Sequence, residues 1–306
     1  MSKIAIVTSD NRDLKFDDKN TYVELCALIN LNYAIKNKCD FYFFKIIDDF
    51  NCKLLNKKEN LTSYSRLAYS CKAAPWVKLL PIYSILCLKY KYIIYLDSDC
   101  IFHNQKIPIN KITNLLKKKQ MLFYSDKPWN KNLPNCGFIL IKNNDFNKNF
   151  IKKWWQSFSL KNLTHPYEQF WMQKFWSNNS EFVKKNFLLL TDEICRLSNK
   201  KQFIFHMTSD LAKKRVNFFS NYIDRNNLNI NCLKKKLQSK IFFFYPKTAD
   251  EKISKRSLNN RDYIIIYITL LYMIFKNLFI NKTKIFIKKY TTKFNLKLMS
   301  FKNKSK

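Results

Sequence analysis

The segment YIIYLDSDC, residues 92–100, places an uninterrupted apolar run directly before two carboxylates that are one residue apart. Tyr, Ile and Leu in this order favour a β-strand. Because the run is apolar at every position rather than at alternate ones, both faces of the strand are expected to be covered. Strands of this kind are typical of parallel sheets with helices on both faces. The segment therefore predicts an α/β fold in which Ile93–Leu96 is a buried strand.

The rest of the first 225 residues alternates between strand-like and helix-like segments. Further strands are predicted at Lys3–Val7, Cys39–Ile47, Met121–Asp126, Gly137–Asn143 and Phe203–Asp210. Helices are predicted at Thr21–Lys36, Lys78–Lys89, Phe146–Phe158 and Pro166–Trp176. Strands that alternate with helices of this length are joined by crossovers. The pattern therefore predicts a Rossmann-like, mostly parallel sheet flanked by helices.

The composition changes after residue 225. Residues 226–262 are rich in Lys and Asn and are predicted to form a connecting segment. Residues 263–280 are largely apolar, interrupted by Lys276 and Asn277, and are close to the length of a membrane-spanning helix. Residues 281–306 carry nine Lys and no acid. Residues 263–306 are either a core helix with a basic tail or an apolar and basic helical extension that attaches to an anionic membrane surface.

The formal net charge of +34 raises the question of a nucleic-acid partner. Lys outnumbers Arg 49 to 7, however, and Arg is the better partner for phosphates and bases. Lys, Asn, Ile, Phe and Tyr are all frequent, whereas Gly occurs once. We interpret most of the basic charge as a compositional bias of the solvated surface, and a nucleic-acid partner is not expected.

The cysteines and the start of the chain indicate where the protein works. The nine cysteines are odd in number and include no CxxC pair and no Cys/His cluster at zinc spacing. Reduced thiols of this kind are typical of intracellular proteins. The chain starts with a strand, KIAIV from Lys3, and no signal peptide is recognised. We therefore expect a cytoplasmic location or the cytoplasmic face of a membrane.

Asp97 and Asp99 are predicted to lie where ligands bind in open α/β sheets, at the carboxyl end of a strand. Ser98 between them points away, so both carboxylates can address one point in space. Two hard oxygen ligands suit Mg²⁺ or Mn²⁺, which commonly complete their coordination with substrate phosphates. The alternative is a surface turn that uses aspartate for its bends.

Seven segments of the chain form an ordered set around the Asp-x-Asp turn: IAIVTSD, NYAIKNKCDFYFF, PWVKLLPI, YIIYLDSDCIF, NCGFILIKN, the EQ of HPYEQFWM, and FIFHM. This set resembles nucleotide-sugar glycosyltransferases of the GT-A type, whose hallmark is a hydrophobic strand followed by Asp-x-Asp. Within that group the chain is most similar to the retaining galactosyl, xylosyl and mannosyl transferases of glycosyltransferase family 34. The seven segments span residues 3–215, and the residues after 215 are not covered.

The resemblance implies a metal site in which His206, after the apolar FIF, joins Asp97 and Asp99, with Mn²⁺ or Mg²⁺ as the cofactor. An imidazole ligand suits a softer ion such as Mn²⁺. Without the resemblance, a single His after a strand is more often a structural group. The resemblance also implies residues that contact the nucleotide and its diphosphate, with Lys214 and Arg215 as neighbouring cations; these residues are Thr8, Ser9, Lys78, Ser98 and Lys213.

The donor sugar is expected to contact Asn135, Cys136 and Gly137. Gly137 is the only glycine of the chain, which predicts either a positive φ or a close backbone approach at this position; an ordinary turn before a strand is the alternative. Glu168 and Gln169 are the expected catalytic residues that face the transferred sugar, although an acid here could also cap a helix. The family usually has Asp-Gln at this place, so the longer Glu168 changes the reach of the carboxylate and keeps its charge.

These residues predict transfer of a hexose or pentose from a nucleoside-diphosphate sugar to an acceptor hydroxyl on a glycan or glycoconjugate, with retention of anomeric configuration. A UDP-sugar is the favoured donor and GDP-mannose the alternative. A haloacid-dehalogenase-like phosphatase is a rival interpretation, but that pattern usually opens the chain and has Thr or Val where Ile101 stands. The other rivals are a non-enzymatic basic protein that binds nucleic acid or membrane, and a degenerate transferase that binds without catalysis.

Overall fold

The computed structural model describes residues 3–16, 20–47, 75–126, 129–157, 168–191, 203–207 and 212–244. Several predicted features lie outside these residues: Pro166 at the start of a helix, the end of the strand predicted at Phe203–Asp210, and the whole of 263–306. The chain divides into two compact units, Met1–Ser257 and Leu258–Lys306. All described residues belong to the first unit.

The described residues form nine strands: β1 (Ile4–Asp10), β2 (Asp40–Ile46), β3 (Tyr92–Leu96), β4 (Cys100–Phe102), β5 (Met121–Asp126), β6 (Asn130–Lys142), β7 (Phe187–Leu190), β8 (Ile204–His206) and β9 (Ile241–Phe244). Seven of them form one sheet in the order β7-β5-β6-β3-β1-β2-β9. Neighbours in this sheet are parallel except where β6 runs antiparallel to β3 and β5. β4 and β8 form a separate antiparallel pair.

Eight helices accompany these strands in the same part of the chain: α1 (Tyr22–Lys36), α2 (Leu79–Leu86), α3 (Ile109–Leu115), α4 (Asp145–Gln156), α5 (Glu168–Asn178), α6 (Ser180–Asn186), α7 (Ala212–Arg225) and α8 (Ile230–Gln238). Three of them start at a polar side chain that accepts a backbone N–H of the first turn; these caps are Thr21, Asn144 and Asn229. α1 packs against α7 and α8, and α2 packs against α4. The predicted α/β fold, a mostly parallel sheet flanked by helices, is confirmed.

β3 lies between β1 and β6, and its apolar run is buried as the sequence predicts. Ile93, Ile94 and Leu96 have no exposed surface, and Tyr95 exposes 1%. Each buried side chain of this size stabilises the fold by about 1.5–3 kcal/mol relative to exposure. The strand ends at Leu96, so the carboxylate of Asp97 is the first side chain beyond the packed core.

Two strands differ from their predicted bounds in ways that affect the site. The strand predicted at Gly137–Asn143 begins at Asn130, because the polar NKNLPN segment also pairs with the end of β5. This segment has no alternation of apolar residues that would have predicted a strand. Gly137 therefore lies inside a strand and not in a turn before one. The strand predicted from Phe203 is short in the described residues, and it pairs with β4 instead of joining the main sheet.

The lysine-rich segment predicted as a connector contributes a strand to the main sheet. α8 and β9 both lie within residues 226–262, and β9 extends the sheet by pairing in parallel with β2. Leu233 and Leu237 of α8 are buried and lie four residues apart, which is helical spacing. The high lysine content of the segment makes this apolar spacing hard to recognise in the sequence. The main sheet thus includes one strand from residues 226–262. None of the described helices is long and apolar enough to cross a membrane.

Candidate functional site

The two acids of YLDSDC are held by backbone hydrogen bonds at the carboxyl edge of the parallel strands. The Asp97 amide donates to the Gly137 carbonyl (2.9 Å), and the Cys100 amide donates to the Asp97 carbonyl (2.9 Å), which closes the turn. Asn30 on α1 then holds β4. Its amide donates to the Cys100 carbonyl (2.8 Å), and its Oδ1 accepts from the Phe102 amide (3.0 Å). The acids therefore sit on a turn anchored to β6 and to α1.

The structure brings Asp97, Asp99 and His206 together, and we call them the metal group. Each offers one ligand atom, and these atoms all lie within 4.8 Å of one another. Two ligands that share an ion at about 2.2 Å each are at most roughly 4.4 Å apart, so the group is close to a binding arrangement. Two carboxylates and one imidazole match the ligand preferences of a divalent ion such as Mn²⁺. The residues present therefore fit the predicted ion.

His206 faces the acids because its ring is held from two sides. Its Nδ1 hydrogen-bonds the Tyr124 hydroxyl, and its Nε2 lies 2.9 Å from Asp99 Oδ1. The ring packs on the backbone of Gly137, where a Cβ would lie 2.6 Å from Nδ1 and 2.9 Å from the Tyr124 hydroxyl. Gly137 does not have a positive φ. Of the two predicted reasons for glycine at this position, only the close approach applies.

Asp99 lies among basic side chains. Besides the contact with His206, Arg215 Nη1 donates to Asp99 Oδ2 at 3.0 Å. Burial of the Asp99 carboxyl would raise its pKa, but His206, Arg215 and Arg12 together hold the pKa below its ordinary value. Asp99 is therefore ionised at neutral pH, which is the state that a metal ligand requires.

Lys78 is a buried cation between two acids. Its Nζ lies 2.6 Å from Glu168 Oε1, 3.0 Å from Asp97 Oδ1 and 2.9 Å from the Cys136 carbonyl. The side chain exposes only 2% of its surface, which a lysine tolerates only with such partners. Burial would lower the pKa of Lys78, but Asp97 and Glu168 raise it well above its ordinary value, so the ammonium stays charged. Lys78 thus links the metal group to Glu168.

Glu168 begins α5 and is almost completely buried. Burial raises its pKa to about 7, with a further increase from Asp97 and against the lowering effect of Lys78. Lys78 binds Oε1, whereas Oε2 has no hydrogen-bond partner among the residues that the structure describes. Trp154 Nε1 donates to the Glu168 carbonyl (3.2 Å), so α4 holds the start of α5. A buried carboxylate with one unpartnered oxygen is suited to stabilise a developing positive charge.

The residues predicted to contact a sugar form one hydrogen-bonded cluster next to Glu168. Gln169 Oε1 accepts from the Cys136 amide at 3.0 Å. Asn135 Oδ1 accepts from the Gly137 amide at 2.8 Å, and Asn135 Nδ2 donates to Asp126 Oδ1 at 2.9 Å. The cluster joins the start of α5 to the middle of β6. The predicted catalytic and sugar-binding residues are therefore neighbours in the structure.

Thr8 and Ser9, predicted to contact a nucleoside, lie inside β1 and are 2% and 7% exposed. The strand predicted to end at Val7 continues to Asp10, because the polar TSD segment still pairs with β2. Ser9 Oγ lies 3.1 Å from the Tyr95 hydroxyl. Thr8 Oγ1 has no hydrogen-bond partner within the described ranges. A buried hydroxyl of this kind requires an explanation, and a bound ligand or water would supply one.

Two arginines from distant segments of the chain, Arg12 and Arg215, lie beside the Asp-x-Asp turn. Arg12 donates from Nη2 to Ser98 Oγ (2.9 Å) and from Nε to Asp10 Oδ1 (2.8 Å). The guanidinium carbons of Arg12 and Arg215 lie 4.7 and 4.9 Å from the centroid of the Tyr22 ring. Both distances are within the range of cation–π attraction. Tyr22 therefore holds both guanidinium groups beside the Asp-x-Asp turn.

Not every predicted residue joins this cluster. Lys213 is exposed on α7, and the residue of its KKR run that contacts Asp99 is Arg215. The sequence did not indicate five further residues of the site: Asp10, Arg12, Tyr124, Asp126 and Gln173, the last of which donates to Asp126 Oδ2 at 3.1 Å. Asp10 and Asp126 carried a usable signal, because each ends an apolar strand in a chain with few acids. The other three carry no local pattern.

No protein-family model matches the chain. No curated protein matches it by sequence. Among solved structures it is similar to a glycosyltransferase involved in the glycosylation of the major capsid of PBCV-1, with 14% identity, coverage of 71% of this chain and 98% of that chain, and a TM-score of 0.48.

Two further similar structures are mouse xyloside xylosyltransferase 1 and a 4-diphosphocytidyl-2C-methyl-D-erythritol synthase from Anaerococcus prevotii. The first has 10% identity, covers 68% of this chain and 98% of that chain, and has a TM-score of 0.39. The second has 10% identity, covers 73% of this chain and 99% of that chain, and has a TM-score of 0.39. Glycosyltransferases are thus among the structural neighbours. With identities of 14% or less and TM-scores of 0.48 or less, these similarities do not identify the activity of this chain.

Proposed function

We propose that the protein is a metal-dependent glycosyltransferase of the GT-A type, which moves a hexose or pentose from a nucleoside-diphosphate sugar to a hydroxyl of a glycan or glycoconjugate. The observation that carries the proposal is the bridge made by Lys78, whose buried ammonium links Asp97 of the metal group to Glu168 of the predicted sugar cluster. Sugar transfer requires two such sites side by side, because the departing diphosphate and the anomeric carbon are joined by a single bond.

The metal group would hold Mn²⁺ or Mg²⁺, and the bound ion would neutralise negative charge that develops on the departing diphosphate. Lys78 and Arg215 would add fixed positive charge on the same side, which stabilises the leaving group without any reorganisation at the moment of reaction. Lys213, on the same helix as Arg215, is a further candidate for phosphate contact. The buried position of Lys78 is consistent with a fixed charge of this kind.

Glu168 would face the transferred sugar. The anomeric carbon gains positive charge in the transition state, and the unpartnered Oε2 of this buried carboxylate would stabilise it. Gln169, Asn135 and the backbone of Cys136 and Gly137 would hydrogen-bond the sugar hydroxyls. The role of Glu168 requires the ionised form, which the charge of Lys78 favours and burial opposes.

Thr8, Ser9 and Ser98 would contact the nucleotide. The buried hydroxyl of Thr8, which lacks a partner in the described part of the chain, supports this assignment. UDP is the favoured carrier and GDP the alternative. The resemblance of the quoted segments to family 34 supports galactose, xylose or mannose as the sugar, with retention. The anomeric proton coupling of the product, measured by NMR, tests retention.

Residues 1–225, which contain every proposed site residue, are proposed as the catalytic part of the chain. Residues 226–262, whose strand β9 also pairs with β2, connect it to an apolar and basic segment, 263–306, which is proposed to attach to anionic membrane at the cytoplasmic face. The nine lysines without any acid in 281–306 support this attachment. Co-sedimentation with phosphatidylserine vesicles tests it on the full chain and on a variant with Gln at these nine positions. Equal binding by both proteins, at low and high salt, would contradict the attachment.

The thermal stability of the purified protein tests the catalytic proposal directly. UDP, GDP and their sugars are added with and without Mn²⁺, and Asp99→Asn serves as the control variant. We expect a shift in the unfolding temperature that requires both nucleotide and Mn²⁺ and that is absent in the variant. Stabilisation by DNA, RNA or anionic vesicles, with no effect of any nucleotide and metal pair, would mean that the acids are structural and that the positive charge is the function.

A further inference from the structure

Both carboxylate oxygens of Asp99 are occupied by side chains. Oδ1 lies 2.9 Å from His206 Nε2, and Oδ2 accepts from Arg215 Nη1 at 3.0 Å. Asp99 is at the same time a member of the metal group. An ion that binds Asp99 must therefore compete with, or come close to, the positive charge of Arg215.

Arg215 has donor capacity that its protein partners do not use. Its side chain is only 14% exposed, and its Nε is buried without a hydrogen-bond partner in the described segments. The guanidinium is held in place by the Tyr22 ring at 4.9 Å and by Asp99. A planar guanidinium with an unsatisfied N–H beside a divalent-ion site is the arrangement that binds a phosphate group at two points.

We infer that Arg215 couples the binding of the divalent ion to the binding of a diphosphate. In the absence of ligands, Arg215 neutralises the charge of Asp99. When a divalent ion binds Asp99, the guanidinium directs its free N–H donors to the phosphate oxygens of the diphosphate. The inference rests on the proposed function, because the diphosphate is that of the donor. It goes further in assigning the synergy between the two ligands to one residue.

The physical reason is the sign of the charges. An ion with two positive charges placed beside the Arg215 guanidinium is opposed by repulsion, which a buried site screens poorly. A diphosphate brings compensating negative charge to both groups and removes that repulsion. Each ligand should therefore raise the affinity of the protein for the other, as thermodynamic linkage requires.

The test is calorimetric titration of the full chain with Mn²⁺ alone, and with Mn²⁺ in the presence of UDP or of inorganic pyrophosphate. For Arg215→Met we expect Mn²⁺ alone to bind about 10-fold tighter than to the natural protein, and pyrophosphate with Mn²⁺ to bind about 10-fold weaker. Arg215→Lys keeps the charge without the planar group, and it should bind Mn²⁺ alone as the natural protein does while it binds pyrophosphate more weakly. Arg225→Met, an exposed arginine at the end of the same helix, is the matched control.

Unchanged or weaker binding of Mn²⁺ alone by Arg215→Met, or the same synergy as in the natural protein, would overturn the inference. The melting temperature of each variant, measured in parallel, shows whether it is folded, and Arg215→Lys supplies the comparison if Arg215→Met is not. The pyrophosphate titration separates this inference from the proposed function. Synergy between Mn²⁺ and pyrophosphate without sugar transfer from any nucleotide sugar would reject the proposed function and support the role of Arg215. Sugar transfer with unaltered synergy in Arg215→Met would support the proposed function and reject the role of Arg215.

Discussion

The imidazole of His206 occupies the space in which a side chain at Gly137 would lie. A Cβ on Gly137 would come within 2.6 Å of His206 Nδ1, and the Tyr124 hydroxyl would be 2.9 Å away. The ring cannot easily move aside, because Tyr124 and Asp99 bind its two nitrogens. Gly137 cannot move either, because it lies inside β6 and its carbonyl accepts from the Asp97 amide. The only glycine of the chain is therefore required by the position of a metal-group side chain.

Gly137→Ala is expected to weaken Mn²⁺ binding by at least about 10-fold, because the new methyl group displaces the imidazole from the acids. It should also lower the free energy of unfolding by about 1–3 kcal/mol through overpacking. Calorimetry measures the first effect and urea denaturation the second.

The double variant Gly137→Ala/His206→Ala is the control for this substitution. Removal of the imidazole leaves room for the methyl group, so the alanine at 137 should cost less stability in the His206→Ala background than in the natural protein. An equal cost in both backgrounds would show that the ring is not the obstacle.

The Tyr124 hydroxyl binds Nδ1 of His206 and thereby directs Nε2 towards the acids. Tyr124→Phe removes this hydroxyl. Loss of such an outer partner commonly weakens metal affinity by about 10- to 100-fold, and we expect a decrease within that range. Tyr42→Phe is the matched control, because it removes from β2 a hydroxyl that hydrogen-bonds the Tyr90 hydroxyl outside the metal group. Mn²⁺ titrations that do not distinguish the two variants would contradict the role of Tyr124.

Lys78→Met is expected to lower the free energy of unfolding by about 3–5 kcal/mol, because it leaves the buried carboxylate of Glu168 without its counter-ion. Lys148→Met is the control, since its partner Asp145 is 87% exposed and the pair should contribute less than about 1 kcal/mol. Urea denaturation measures both. If the loss arises from the unpaired charge, the double variant Lys78→Met/Glu168→Gln should recover part of it. Without any recovery, lost packing of the lysine chain would be the better explanation.

The stability of the metal-free protein should depend on pH through Glu168. Its pKa is raised from 4.5 to about 7 in the folded state, chiefly by burial, so the folded protein binds more protons than the unfolded chain between these values. The contribution of Glu168 to stability is therefore complete below about pH 4.5 and is lost as the pH rises through about 7.

Between pH 5 and 8, the melting temperature of Glu168→Gln, measured in EDTA, should consequently fall less than that of the natural protein. This pH range brackets the folded-state pKa of Glu168, which is about 7. Glu181→Gln on α6, where the side chain is exposed, should leave the pH profile as it is. Parallel profiles for the natural protein and Glu168→Gln would mean that the carboxyl titrates at an ordinary pH.

Strands and helices of this chain were predictable where burial leaves a local pattern. β5 has the predicted bounds, and β3 and α1 begin within one residue of theirs, because a strand buried on both faces is apolar at every position and a capped helix starts at a polar residue. The beginning of β6 was not predictable. Its polar residues pair with β5 through the backbone, and this pairing leaves no periodic pattern in the side chains.

The types of residue at the site were also visible in the sequence, because carboxylates at the carboxyl end of a strand stand out in a chain with only 22 acids. Their partners were not visible. Apart from the resemblance of PWVKLLPI, nothing near Lys78 distinguishes it from the other lysines. Lys213 and Arg215 are equally plausible contacts until α7 is packed against α1. Burial of Lys78 and the contact of Arg215 with Asp99 depend on distances between segments far apart in the chain. Local backbone preferences are set by near neighbours, whereas the pairing of charges is set by which segments the fold brings within a few ångströms of each other.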